Sequence, residues 1–171
     1  YPLFLSRGFF VRVKLPRLLA DAGLGDAVVL PILGDDPALV DLVERRLRAV
    51  ASLVGGREPK DFRIALVAHG SASGEAEPRR VASAITADLD LRLGAEIRLG
   101  FIEEAPFFDE VVPGAEIVVG LFVSAGTHAL DDVAALVAKT PSVRHHVAAI
   151  GEDAGLAHMV VAALEGAQRR D

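Results

Sequence analysis

The chain has 171 residues, 51% apolar and 25% charged, with a formal net charge of −6. That is enough for one ordinary domain or two small ones around a packed core, and it gives no basic surface for nucleic acid. No apolar run reaches the roughly 18 residues of a membrane span, and Tyr1 opens straight into a strand-like run, so neither a span nor a signal peptide is expected. Cysteine is absent, which excludes disulfides, thiolate metal sites and cysteine nucleophiles and fits a reducing cytoplasm.

In chain order, Tyr1–Leu5 and Ala27–Ile32 read as strands, and Leu15–Ala22 and Pro37–Val54 as helices. Leu39, Val40, Val43, Leu47 and Val50 recur at helical spacing and predict the buried face of the second helix. Asp36 before Pro37 predicts its N-cap, with proline at the first helical position. Gly55-Gly56-Arg57-Glu58-Pro59-Lys60 is polar and turn-rich and reads as a boundary. Beyond it, strands are expected over Phe62–Ala68, Glu96–Ile102, Ile117–Val123 and Val143–Ile150. Helices are expected over Pro78–Leu93, Leu130–Ala138 and Gly155–Ala167, with a short helical piece near Phe107–Val111. This alternation predicts an α/β fold with a parallel sheet and helices on both faces. The continuous apolar runs Ile64–Ala68 and Ile117–Val123 agree, since parallel strands are buried on both sides.

The chain also repeats itself. Leu3-Phe4-Leu5-Ser6-Arg7-Gly8 matches Leu121-Phe122-Val123-Ser124-Ala125-Gly126, and the same offset pairs Leu15, Leu18, Leu19 and Ala20 with Val133, Leu136, Val137 and Ala138. One residue less in offset pairs Leu33-Gly34-Asp35-Asp36 with Ile150-Gly151-Glu152-Asp153, and Leu39, Val43 and Leu47 with Leu156, Val160 and Leu164. Residues 61–171 therefore read as one complete lobe, 57–60 as a linker, and 1–56 as the second half of a preceding lobe. The first half of that lobe is expected before Tyr1.

Two of the five histidines fall where a parallel sheet puts its active sites, beyond the carboxyl ends of strands. His69 ends the run Ile64–Ala68, and His128 follows Ile117–Val123; both have glycine nearby, which lets a ligand approach the backbone. Glu103 ends the strand Glu96–Ile102 in the same way. Two imidazoles and a carboxylate suit Co²⁺, Fe²⁺, Ni²⁺ or Zn²⁺. Lacking thiolate, such a site is expected to release its metal, and histidine titrates close enough to neutrality to take up protons. A lone histidine after a strand is more commonly a hydrogen-bonding residue than a ligand; three strand ends presenting His, Glu and His shift that balance. His145 and His146 open a strand at the opposite edge and read as structural, and His158 as helix surface. Glu75 and Glu77 suit a helix N-terminus, and Arg79 and Arg80 read as a solvated face, with substrate carboxylates as the other reading.

Val67-Ala68-His69-Gly70-Ser71 resembles the opening strand and turn of the CbiX/SirB sirohydrochlorin chelatases. Phe101-Ile102-Glu103 with Pro106 resembles that family's Phe-Leu-Glu segment, and Val118–His128 with Asp132 its second histidine motif. The resemblance covers 61–171, and 1–56 resembles the second half of a preceding repeat. It implies a class II chelatase fold of two α/β lobes around a tetrapyrrole. It further implies that His69, His128 and Glu103 bind the metal and accept pyrrole protons, with the neighbouring Glu104 as the other carboxylate for the role. Gly70, Ser71, Ser124 and Gly126 are expected to line the substrate site, and Arg7 and Arg12 to meet its acidic side chains. Phe10 stands at the position equivalent to His128, so the first lobe is expected to be a wall without a metal. The segment from Pro106 to Val118 is about eight residues shorter than the family pattern.

The implied activity is insertion of Co²⁺ or Fe²⁺, with Ni²⁺ also open, into sirohydrochlorin or a related precorrin in cobalamin or sirohaem biosynthesis. The metal is then a substrate, no organic cofactor is needed, and a monomer of two lobes or a homodimer is expected. The alternative is a non-catalytic metal- or tetrapyrrole-binding protein of the same fold. Hydrolysis through Ser71 or Ser124 is disfavoured, because neither sits in a Gly-x-Ser-x-Gly elbow.

Overall fold

A computed structural model describes residues 1–124 and 128–169, with the backbone alone at 128–130. Four strands form one parallel sheet: β1 (Ile64–Ala68), β2 (Ile97–Phe101), β3 (Ile117–Gly120) and β4 (His145–Val147), in the order β2-β1-β3-β4. β1 and β3 lie centrally and are buried along their whole length, as their unbroken apolar runs require.

The pleat sorts the side chains into two cores. Ile64, Leu66 and Ala68 of β1 and Ile117 and Val119 of β3 face one side. There they meet α2 (Ala38–Gly55), α3 (Ala76–Leu93) and α6 (Gly155–Gln168) through Leu39, Leu47, Ile85, Leu89, Leu156 and Met159. Ala65, Val67 and Val118 face the other side, against α4 (Phe108–Val111) and α5 (His128–Ala138) through Val111, Val133 and Leu136. Helices thus cover both faces, as expected. α4 is a single turn, continued by the 3₁₀ turn Val112–Gly114. It rests directly on Gly100 of β2, where an added methyl would meet Phe108 Cα at 2.9 Å.

Each end of α2 has a local cause. Asp36 Oδ1 accepts the Ala38 N–H at 3.0 Å, and Gly56, at φ +61°, closes the other end by donating to Ser52 O at 2.8 Å, the left-handed cap that glycine tolerates best. Leu39, Leu42, Val43, Leu47 and Val50 are buried beneath it. Arg92 of α3 bridges to Asp41 at 2.7 Å and Glu44 at 3.4 Å on α2, and Arg48 ties Glu44 to Glu58. Residues 57–60 pack on the body: Pro59 is buried, and the Arg57 guanidinium lies 4.3 Å from the Phe62 ring centroid.

Two expectations fail. Tyr1–Leu5 and Ala27–Ile32 are not strands; among the described residues, the four strands lie between residues 64 and 147. Sheet hydrogen bonding needs a neighbouring strand, and what pairs here is a short contact. Leu33 N–H donates to Pro2 O at 3.1 Å and Gly34 N–H to Phe4 O at 3.0 Å. Of the N-terminal portion, Leu15–Ala22 folds nearly as expected, as α1 (Leu15–Asp21).

The repeat survives the loss of those strands, in detail. Gly151 N–H donates to Phe122 O at 3.0 Å, as Gly34 does to Phe4 O. A methyl on Gly34 would strike the Leu5 carbonyl, and one on Gly151 the Val123 carbonyl. Each glycine lies in a 3₁₀ turn, Leu33–Asp35 or Ile150–Glu152. Each turn leads to an aspartate cap: Asp36 on Ala38 N–H, and Asp153 on Gly155 N–H at 2.9 Å. The copies differ in cover. Leu136 of α5 is partly buried against the second core, whereas its counterpart Leu18 of α1 is 46% exposed, and Val28, in the stretch equivalent to β4, is 78% exposed.

Candidate metal and substrate site

β1 and β2 run parallel, so they deliver His69 and Glu103 to the same edge of the sheet. Ile102 N–H donates to Ala68 O at 3.1 Å, and Glu103 N–H to His69 O at 3.0 Å, extending the register beyond both strands. The side chains meet: His69 Nδ1 lies 3.5 Å from Glu103 Oε2, with both groups open to solvent. Glu103 Oε2 also accepts the Ala72 N–H at 3.1 Å, so the carboxylate is anchored to the loop that carries the histidine.

Glu104, the neighbouring carboxylate, is engaged elsewhere. Its Oε2 takes Nε of Arg79 at 2.9 Å and Nη2 at 2.7 Å, and its Oε1 accepts the Ser71 N–H at 3.2 Å. Arg79 also donates to Ala105 O and stacks 4.7 Å from the centroid of Phe101. Arg79 is therefore not simply a solvated face. Its signal in the sequence was slight: two adjacent glutamates at a strand end and an arginine in the first turn of the preceding helix.

Gly70 is what lets the loop turn here. Its φ is +75°, and an added methyl would meet Glu104 Cγ at 2.8 Å and Phe101 Cβ at 3.1 Å, so both its conformation and its surroundings exclude a side chain. Ser71 ties the loop to the approach to α3: its Oγ accepts the N–H of Glu75, the residue before the helix, at 3.2 Å and lies 2.9 Å from Ser73 Oγ. A hollow of about 60 Å³ opens beside this turn, lined among others by Leu5, Ser6, His69, Gly70 and Leu121. The N-terminal segment thus reaches the site through Leu5 and Ser6.

The remaining residues divide. Ser124 is exposed beyond β3. His128 begins α5, on the backbone, at the same carboxyl end of the sheet; its side chain and Gly126 lie outside the described residues. Arg7 is held by Asp35, with Nε 2.7 Å from Oδ2, and Arg12 is exposed in the helical turn Phe10–Lys14. Arg80 bonds Glu77 and holds its carboxyl below the usual range, with weaker help from Arg12 and Arg7. These arginines therefore gather near the start of α3, next to the His69 turn. Among the described residues, no group of three His, Asp or Glu could hold a metal ion; His69 and Glu103 are a pair. His145 and His146 open β4 at the other end of the sheet, and His158 is exposed on α6, as expected.

No family model matches the chain, and no curated protein matches it. Solved structures do. A CbiX described as the terminal enzyme for biosynthesis of siroheme in denitrifying bacteria is 33% identical, with a TM-score of 0.83, over 98% of this chain and 74% of that one. The chain belongs to the CbiX/SirB-like chelatase family. Less similar chains share the fold alone. SirB from Bacillus subtilis with Fe³⁺ is 18% identical, with a TM-score of 0.75, over 96% of this chain and 68% of that one. The multi-domain DR2241 from Deinococcus radiodurans, which has structural similarity to chelatases, is 23% identical with a TM-score of 0.61; it is matched over 95% of this chain and 39% of its own length. In this CbiX-like chain the sheet is therefore of the class II chelatase type, with the His69–Glu103 pair exposed at its carboxyl edge. No helix among the described residues is long and apolar enough to cross a membrane.

Proposed function

We propose that this chain is a sirohydrochlorin chelatase that inserts a divalent metal into the macrocycle. The observation that carries the reading is the His69–Glu103 pair at the carboxyl edge of the sheet, in a chain one-third identical to a CbiX that completes siroheme biosynthesis. Each turnover replaces two pyrrole N–H protons by one M²⁺, so the site must hold a cation briefly and take up two protons. With Glu103 beside Nδ1, the imidazole of His69 keeps Nε2 as the lone pair for metal or proton, and the carboxylate offsets the charge that arrives. His128, at the start of α5, is the proposed second imidazole, completing a nitrogen and oxygen donor set that suits Fe²⁺, Co²⁺ or Ni²⁺.

The hollow at Gly70, about 60 Å³, is far too small for a tetrapyrrole, so the macrocycle lies across the edge rather than inside it. Gly70, Ser71, Ser124 and Gly126 are the proposed floor of that seat, and Arg7 and Arg12 the cations facing its carboxylates. Residues 1–56, the second half of a repeat, form the proposed wall beside the complete lobe 61–171. The metal proposed is Fe²⁺, following the siroheme role of the CbiX relative, with Co²⁺ and the cobalamin branch as the competing outcome.

The test is anaerobic insertion, followed by the sirohydrochlorin absorbance spectrum with Fe²⁺ or Co²⁺. Wild type should exceed the buffer rate by orders of magnitude, and His69→Ala, His128→Ala and Glu103→Gln should lose most of that gain. Metal binding through these residues without any acceleration would establish a binding protein instead.

A further inference from the structure

We propose that Arg79 is a positioning residue for metal insertion, acting through Glu104 on the loop that carries His69. This rests on the chelatase reading of the His69–Glu103 pair. The two glutamates at the exit of β2 hold consecutive amides of the opposite loop: Ser71 N–H goes to Glu104 Oε1 at 3.2 Å, and Ala72 N–H to Glu103 Oε2 at 3.1 Å. Those two bonds set where the loop stands, and with it the separation of His69 from Glu103. Glu104 shares the holding, so Glu103, which faces His69, does not anchor the loop alone. Glu104 in turn has its place defined by Arg79, which bonds its Oε2 through both Nε and Nη2 and braces Ala105 O. Stacking on Phe101, the last residue of β2, aims the guanidinium. Gly70 leaves the space into which the Glu104 side chain fits.

A lysine cannot reproduce this. It would present a point charge without the planar fork that fixes a carboxylate in two directions. Arg80, the next residue, bonds Glu77 at 2.9 Å, so it serves as the control for exchange at the loop amides. Outer-shell partners of metal ligands typically contribute about ten- to a hundred-fold in metal affinity or activity, and that is the size of effect Arg79 should have.

The experiment compares wild type, Arg79→Ala, Arg79→Lys, Glu104→Gln and Arg80→Ala in the whole chain. In insertion assays Arg79→Ala should lower kcat about ten- to a hundred-fold, with KM for sirohydrochlorin little changed, and should weaken Co²⁺ binding to the protein alone. Arg79→Lys should recover part of the loss. Glu104→Gln, which keeps the Ser71 acceptor but loses the ion pair, should fall between wild type and Arg79→Ala, and it stands in if Arg79→Ala does not fold. Amide exchange at Ser71 and Ala72 reads the positioning without any need for activity, and should quicken in Arg79→Ala and not in Arg80→Ala. Unchanged exchange at those two amides would overturn the proposal. So would a raised KM at constant kcat, which would make Arg79 a substrate-binding cation. A wild type that inserts no metal, with exchange still quickened in Arg79→Ala, would overturn the chelatase reading while leaving the positioning contact in place.

Discussion

Glu103 stands with its Oε2 3.5 Å from Nδ1 of His69 and on the Ala72 amide, while its neighbour Glu104 turns to Arg79. Adjacent residues leaving a strand point to opposite sides, so only one of the two can face the histidine. Glu103→Gln should therefore cost about ten- to a hundred-fold in insertion rate while leaving the melting temperature nearly unchanged. Its group is exposed and still able to accept from Ala72. Equal activity of Glu103→Gln and wild type would remove Glu103 from the site.

Gly70→Ala should destabilise the protein and disable it together. The substitution forces an L-residue to φ +75° and drives a methyl to 2.8 Å from Glu104 Cγ. The backbone cost alone is about 1–3 kcal/mol, and the displaced Glu104 releases the Ser71 amide. Urea unfolding and the insertion assay on the same preparation check both effects.

The equivalent glycines of the repeat make a paired prediction. Gly34→Ala and Gly151→Ala should each destabilise strongly, because the methyl meets backbone carbonyls, Leu5 or Val123, that cannot swing aside. Gly56→Ala is the comparison. Its φ is +61° with open space around it, so it should cost only the left-handed penalty of about 1–2 kcal/mol. Thermal unfolding of the three variants ranks them.

Leu47 is fully buried in α2, in the same cluster as Leu66, Leu89 and Met159. Leu47→Ala should cost about 2–5 kcal/mol and should shift one cooperative transition for the whole chain. If residues 1–56 melt in a separate, earlier step that alone responds to the variant, α2 is not part of the common core.

His146 predicts a pH dependence. Burial, and then the neighbouring His145, push its pKa below the usual 6.5, and its Nε2 is buried without a hydrogen-bond partner. The folded state therefore prefers the neutral ring and the unfolded chain binds the proton more readily, so stability is complete above about pH 6.5 and falls as pH drops through that value. The loss levels off below the folded-state pKa. His146→Gln should flatten this slope in denaturant titrations between pH 7.5 and pH 5, ranges set by the ordinary histidine value of about 6.5; an unaltered slope would assign it to other groups.

Much of this molecule was legible in its residues. The unbroken apolar runs of β1 and β3, the period of α2, the Asp36 cap and the repeat are all written in short stretches of chain, where side-chain periodicity and turn chemistry act locally. The same holds for His69 and Glu103 at strand ends, since parallel strands put all such ends on one edge. The strands expected at Tyr1–Leu5 and Ala27–Ile32 failed for the complementary reason: a strand exists only against a partner, and the apolar pattern says nothing about whether one is there. Which of two adjacent glutamates faces the histidine, and that Arg79 holds the other, was likewise decided by tertiary structure alone. Those contacts join residues 25 to 34 positions apart, and their geometry depends on how α3 and the β2 exit pack, which no local pattern encodes.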